Sequence, residues 1–144
     1  MSGSIDIAPA MARLHAACFD AAWPETAFAA LLSQGGVWAL TEVDGFILLR
    51  VAADEAEILT LAVEPTARRI GVGSRLLDQA LSRAARQGAT RAFLEVAADN
   101  IAAQRLYASA GFSEVGRRSS YYARLGSPPI DALLLARDLA SPLP

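Results

Sequence analysis

The chain has 144 residues, 53% of them hydrophobic and 19% charged, which excludes a disordered chain and suits one globular domain over 1–144. The net charge is −2 with no basic block, so nucleic acid is not an expected partner. One cysteine and one histidine exclude an internal disulfide and a multi-cysteine zinc site, and no metal is expected.

In chain order, residues 5–8 read as a short strand. Residues 10–19 follow as a helix carrying His15, expected at the surface or near a helix end, and Cys18, expected in packing. "WPETAFAALL", 23–32, reads as a second helix, with Pro24 in its first turn, Phe28, Leu31 and Leu32 on one face, and Gly35-Gly36 as its stop. "VWALTEV" and "FILLRVA" flank Asp44-Gly45, a hairpin signal. "AEILTLAV", 56–63, is the next strand. Strict alternation would put Leu59, Leu61 and Val63 on one face and Ile58 and Ala62 on the other.

Pro65 ends that strand, and "RRIGVGSRLL" follows at 68–77. A helix is expected over 74–87, with Leu77, Leu81 and Ala84 on its apolar stripe and Gly88 as a left-handed cap. "RAFLEV", 91–96, is a strand. Asp99 or Asn100 caps a helix over 101–110 that Gly111 ends. "FSEVGRR" and "DALLLARDL" complete the order as an antiparallel pair joined by the loop "SSYYARLGSPPI". The whole is a mixed α/β (α+β) domain on a sheet of six or seven strands.

Two glycines at a helix mouth let the backbone approach a ligand while the free N–H groups of the first turn face an anion. A phosphate is the natural candidate. A nucleoside-triphosphate loop needs Gly-Lys-Ser/Thr, and all thirteen basic residues here are arginine, so that motif is absent. The dinucleotide fingerprint needs a third glycine where Leu76 stands. What remains is Arg68-x-x-Gly71-x-Gly73 between a strand and a helix.

This segment resembles the pyrophosphate loop of the GNAT superfamily of N-acetyltransferases, which use acetyl-coenzyme A. The order of elements from Ile5 to about Leu139 fits the same superfamily. "LEVAADNIAAQRLYASAGF" (94–112), "WPETAF" and "RRSSYYARLGSPPIDALLL" are similar to the bacterial ribosomal-protein-alanine N-acetyltransferases. One departure is Ile70, where a polar or basic residue usually precedes the first loop glycine.

The resemblance implies the GNAT fold, a central mixed and mostly antiparallel sheet flanked by about four helices. It implies acetyl-CoA as cosubstrate, held by the main chain of Leu61, Ala62 and Val63, by the loop residues Arg68, Arg69, Ile70, Gly71, Val72, Gly73 and Ser74, and by Asn100. It implies direct transfer to the N-terminal amine of a protein, a small-subunit ribosomal protein starting with alanine, with Glu95 as base and Tyr107 as acid. An α-amine with a pKa near 8 has to lose a proton before it attacks, and the departing thiolate needs one. Glu57 is a rival base, or a group that orients the amine, and otherwise an exposed acid of the turn. Tyr121 and Tyr122 are candidates for the peptide-end pocket. A small-molecule amine as acceptor, and a coenzyme-A-binding module without turnover, remain alternatives. No basic leader precedes an apolar run, and no apolar stretch approaches the ~20 residues needed to span a bilayer, so a cytoplasmic location and no membrane partner are expected. Oligomeric state is open at this level.

Overall fold

The computed structural model describes residues 7–19, 22–68 and 70–139. Helices α1 (Ala8–Cys18) and α2 (Glu25–Leu32) come first. Strands β1 (Val37–Glu42), β2 (Gly45–Ala52) and β3 (Glu55–Val63) then form an antiparallel meander. A short 3-10 turn, Pro65–Ala67, leads to α3 (Val72–Arg86), followed by β4 (Arg91–Ala97) and α4 (Ile101–Ser109). The hairpin of β5 (Ser113–Arg124) and β6 (Ser127–Asp138) closes the order. Among the described residues one six-stranded sheet runs β1-β2-β3-β4-β6-β5, parallel only between β3 and β4. This is the expected mixed α/β class with four helices.

The sheet has a core on each face. α3 and α4 cover one, with Leu76, Leu77, Ala80, Leu81, Ala84 and Tyr107 packed on Ile47, Leu49, Ile58, Leu94, Val96 and Leu135. α1 and α2 cover the other, with Met11, Phe28 and Leu32 packed on Phe46, Leu48 and Ala62. Burying apolar area at about 25 cal/mol per Å² drives both layers together.

Several boundaries differ from the sequence reading. Of the expected strand 5–8, residues 5–6 lie outside the described residues, Ile7 is in a turn and Ala8 already begins α1. Pro9 fits there because a first-turn residue needs no N–H donor. His15 is buried rather than exposed: its ring stacks on Phe19 and Trp23, and its Nδ1 accepts the Trp23 N–H at 3.1 Å. The first hairpin turns at Val43-Asp44, since Glu42 pairs with Gly45. Gly45 serves packing instead, because a Cβ there would lie 2.9 Å from the Ala62 carbonyl oxygen.

The alternation expected along β3 is broken by a bulge. Leu48 pairs with Thr60 but Leu49 pairs with Ile58, leaving Leu59 unpaired. One extra residue exchanges the faces. Ile58 therefore joins Leu61 and Val63 on the α3/α4 side, and Leu59 joins Ala62 on the α1/α2 side. The final loop is also much shorter than expected: β5 and β6 continue to a turn at Leu125-Gly126, where Gly126 has φ +73°, so Tyr121 and Tyr122 are strand residues.

Candidate active site

The sheet opens between its two parallel strands. β3 and β4 pair at Glu55–Arg91, Ala56–Ala92 and Glu57–Phe93 and nowhere beyond. From there residues 58–63 and 94–97 diverge and leave a gap. The main chain of β3 faces it with its own polar groups. Glu64 donates its N–H to the Asp44 carbonyl at 2.7 Å. By antiparallel alternation Phe46–Ala62 is the next hydrogen-bonded pair, so Leu61 and Val63 aim their N–H and C=O away from β2. The Val63 carbonyl accepts there from Cys18 Sγ and from Arg68 Nε, each at 3.3 Å. Ala62 differs from its neighbours: its pairing with Phe46 turns its main chain toward β2, and its side chain is buried under α1 and α2.

The glycine turn stands beside the end of β3. Gly71 caps α3 in the left-handed region, φ +89°, a conformation costly for any residue with a Cβ. The helix starts at Val72, two residues earlier than expected, and its first bond runs from the Arg75 N–H to the Gly71 carbonyl at 3.0 Å. The N–H groups of Val72, Gly73 and Ser74 therefore belong to the unbonded first turn. Val72 buries its side chain in the core, and Ile70 is exposed. Arg69 lies outside the described residues. Gly73 serves a different purpose from Gly71, because a Cβ on it would meet Leu106 of α4 at 3.3 Å.

Arg75 was not singled out from sequence, yet it fastens this turn. It makes a forked pair with Glu42, at 2.8 and 3.2 Å, and donates to the Ile70 carbonyl at 3.3 Å. The Arg75 hydrogen bond holds the Glu42 carboxyl below its ordinary range. Nothing short of the fold brings residues 42 and 75 together, so no local signal marks the pair. Asn100 caps α4 through Oδ1, which accepts the Ala103 N–H at 3.2 Å, leaving its amide nitrogen outside the cap.

The titratable candidates fall on opposite faces. On β4, Ala92, Leu94 and Val96 point into the α3/α4 core, so Glu95 points to the α1/α2 face. Glu57 shares that face, at the last pair before the gap, and makes an ion pair with Arg50 at 3.1 Å. Arg50 also donates to Gln34 at 3.4 Å. Glu57 is thus half-buried and engaged rather than a free acid of the turn. Glu95 lies in the stretch of β4 that β3 leaves unpaired, and is ion-paired to Arg118 at 3.1 Å.

Tyr107 comes from α4 on the other face. It is 6% exposed, its ring meets Phe112 edge-on at 5.7 Å, and burial raises its phenol above the ordinary range. Tyr122 joins the Glu95 side, with its phenol raised by burial first and by the Glu95 charge next. Tyr121 stands edge-on to Tyr122 at 5.0 Å, half-exposed. The fold thus gathers Glu57, Glu95, Tyr121 and Tyr122 on one face and sets Tyr107 behind the sheet.

A groove of about 470 Å³ runs along α2 on the same face as Glu57, lined by Trp23, Pro24, Ala27, Ala30, Leu31, Gln34 and Leu59. A second cavity of about 390 Å³, between α3 and the end of β6, holds none of the candidate residues. Among the described residues no three His, Cys, Asp or Glu side chains are grouped to hold a metal ion. Nor is any described helix long and apolar enough to cross a membrane.

Known proteins resemble this chain in sequence and in fold. The chain is 37% identical over 91 residues to the [ribosomal protein bS18]-alanine N-acetyltransferase of Escherichia coli K12, covering 63% of this chain and 58% of that protein. It is 42% identical over 88 residues to the N-alpha-acetyltransferase RimI of Mycobacterium tuberculosis, covering 61% and 52%. The matched stretch thus spans only somewhat more than half the length of these relatives. The crystal structure of the ribosomal-protein-S18-alanine N-acetyltransferase from Escherichia coli superposes with a TM-score of 0.84 at 30% identity, over 92% of this chain and 88% of that one. The acetyltransferase (GNAT) family pattern matches residues 8–112. With that match spanning most of the chain, and with the interrupted sheet and glycine-capped α3 in place, the chain belongs to the GNAT family of acetyltransferases.

Proposed function

We propose that this protein transfers the acetyl group of acetyl-CoA to the N-terminal α-amine of a protein, by direct attack in a ternary complex. The observation that carries the reading is the gap between β3 and β4, with Glu95 two residues past the last pair on one face of the sheet and Tyr107 on the other face. A pantetheine arm seated in the gap would take up the main-chain groups of Leu61 and Val63 as a neighbouring strand would. The first-turn N–H groups of Val72, Gly73 and Ser74, with Arg68 beside them, suit a pyrophosphate. These donors are backbone groups, which is why Ile70 in place of a polar residue does little harm. Asn100 would contribute its free amide nitrogen.

The amine would arrive on the α1/α2 face, where Glu95 takes its proton directly or through water. Glu57, tied to Arg50, orients the amine rather than deprotonating it. Tyr121 and Tyr122 flank the peptide end. The raised phenol of Tyr107 keeps its proton throughout the physiological range. It serves the departing sulfur as a hydrogen-bond donor, because complete transfer to a much less basic thiolate would be uphill.

Relatives named for the alanine terminus of a ribosomal protein favour the same acceptor class here, and with it a cytoplasmic site of action. The test is thiol release from acetyl-CoA with an Ala-starting ribosomal peptide beside lysine and polyamine acceptors. Release with the peptide alone supports the reading. Turnover confined to polyamines would move the chain to small-molecule acetylation, and binding without turnover on any acceptor would make it a coenzyme-A-binding module.

A further inference from the structure

Glu95 has a resident cation that the reaction as described does not use. Arg118 lies opposite Ala132 and Glu95 opposite Leu134, which places both side chains on one face of the sheet, 3.1 Å apart. The ring of Tyr121 backs the guanidinium, its centroid 5.0 Å away.

A distortion just after Arg118 accompanies the approach of Tyr121. Between the pairs Arg118–Ala132 and Tyr122–Ile130, β5 carries two residues more than β6. The excess is absorbed at Ser120, a non-glycine residue at φ +52°. Asp131 pins the distortion by accepting the Ser120 N–H at 2.8 Å and Arg117 Nη1 at 3.2 Å. Residues held in that region cost energy and persist where surrounding contacts over-determine them. Here such contacts hold the turn of β5 beside which Tyr121 meets Arg118.

An α-amine reaches the site largely as an ammonium ion and seeks the same carboxylate. Building on the acceptor-side role of Glu95 in the proposed function, we propose that Arg118 is a displaceable counter-ion and a determinant of acceptor specificity. It occupies Glu95 until the acceptor's ammonium takes its place, and the guanidinium then withdraws along Tyr121 toward solvent. The side chains are 53% and 26% exposed, so the exchange requires no burial of a bare charge, and pairs this exposed are weak enough to be replaced. A neutral acceptor, such as an alcohol, offers nothing to replace the guanidinium. The device therefore selects for basic amines.

The experiment compares wild type with R118M and R118Q on an Ala-starting peptide. Two substitutions keep the test open if one folds poorly. The peptide KM should fall by up to about fivefold, the upper end of what an exposed pair of this kind is worth, with the acetyl-CoA KM unmoved. Methylguanidinium should compete with the peptide in the variants more strongly than in wild type. A peptide KM that stays constant or rises overturns the proposal. So does a fall in kcat at constant KM, which would make Arg118 an aid to Glu95 rather than its competitor. Wild-type protein that acetylates no N-terminal amine would remove the underlying reading as well. Normal wild-type turnover with unresponsive variants would remove the Arg118 assignment alone.

Discussion

Glu95 and Glu57 share a face of the sheet and each is bound to an arginine, yet their positions differ in a way that separates their chemistry. Glu57 sits where β3 and β4 still pair, and Glu95 sits two residues into the gap. Glu95→Gln should lower kcat by about 10²–10⁴, with partial recovery as pH rises and more amine is already neutral. Glu57→Gln should act mainly on the peptide KM, and steady-state kinetics across pH reads both. Tyr107→Phe keeps the contact with Phe112, so a large loss of kcat with an unchanged melting temperature is expected. His15 makes a separate prediction. Burial lowers its pKa to about 4, below the ordinary 6.5 of an unfolded chain. A lowered histidine favours the neutral fold, so its contribution is complete above pH 6.5 and fades as pH falls toward 4. At about 1.4 kcal/mol per unit, roughly 3 kcal/mol of stability is at stake. Urea unfolding at pH 7 and pH 4.5 should show a steeper loss in wild type than in His15→Gln. The burial of His15 was illegible in the sequence because it depends on Phe19, Trp23 and Phe28 closing around the ring. Arg118 was missed for a similar reason, since only the pairing of β4 and β5 on either side of β6 brings it to Glu95.

Among the elements, the glycine turn and β3 show what local pattern can and cannot reveal. The turn's place between a strand and a helix was legible, since Pro65 ends β3 and the leucine stripe of α3 follows. The division of labour between its two glycines was not. Gly71 is needed for its left-handed φ and Gly73 for the close approach of Leu106. Gly71→Val should strain the cap and weaken acetyl-CoA binding in calorimetry, with the core barely affected. Gly73→Val should lower the melting temperature as well, because it pushes α3 away from α4. Ile70→Ala should change neither strongly. Unchanged affinity in both glycine variants would remove the loop from the binding site. On β3 the period-two rule failed at Leu59, where the bulge inserts a residue. The sequence "EILTL" carries no glycine or proline at that point, so nothing local announced it.

For the whole molecule, the class, the order of helices and strands after α1 and the antiparallel closing hairpin were readable from periodicity and turn residues. The interruption between β3 and β4 was not, because strand pairing is long-range and each strand reads as continuous on its own. The same assembly brings Cys18, distant in sequence from the candidate residues, to the Val63 carbonyl at the edge of the gap. It gains no activating base there, since His15 Nδ1 is engaged by the Trp23 N–H. Cys18→Ala should remain active, and mass spectrometry during turnover should find no acetyl group on Cys18 in wild type.

Among the described residues, three paired positions join β3 to β4 in the sheet, with the Thr90 N–H bonded to the Asp54 carbonyl at 2.7 Å beside them. Mechanically the sheet is two plates on a short seam. On the proposed reading, the missing strand arrives as a small molecule whose amide-bearing arm bridges both plates. Saturating acetyl-CoA at about 100 times its dissociation constant would then add about 2.7 kcal/mol to stability, several degrees in melting temperature. Hydrogen exchange should slow along residues 58–63 and 94–97 together. A protein whose sheet is completed by a metabolite ties its own lifetime to the supply of that metabolite. On that reading, a shortage of acetyl-CoA would leave the sheet open, and resistance to proteolysis would fall with the level of the cosubstrate.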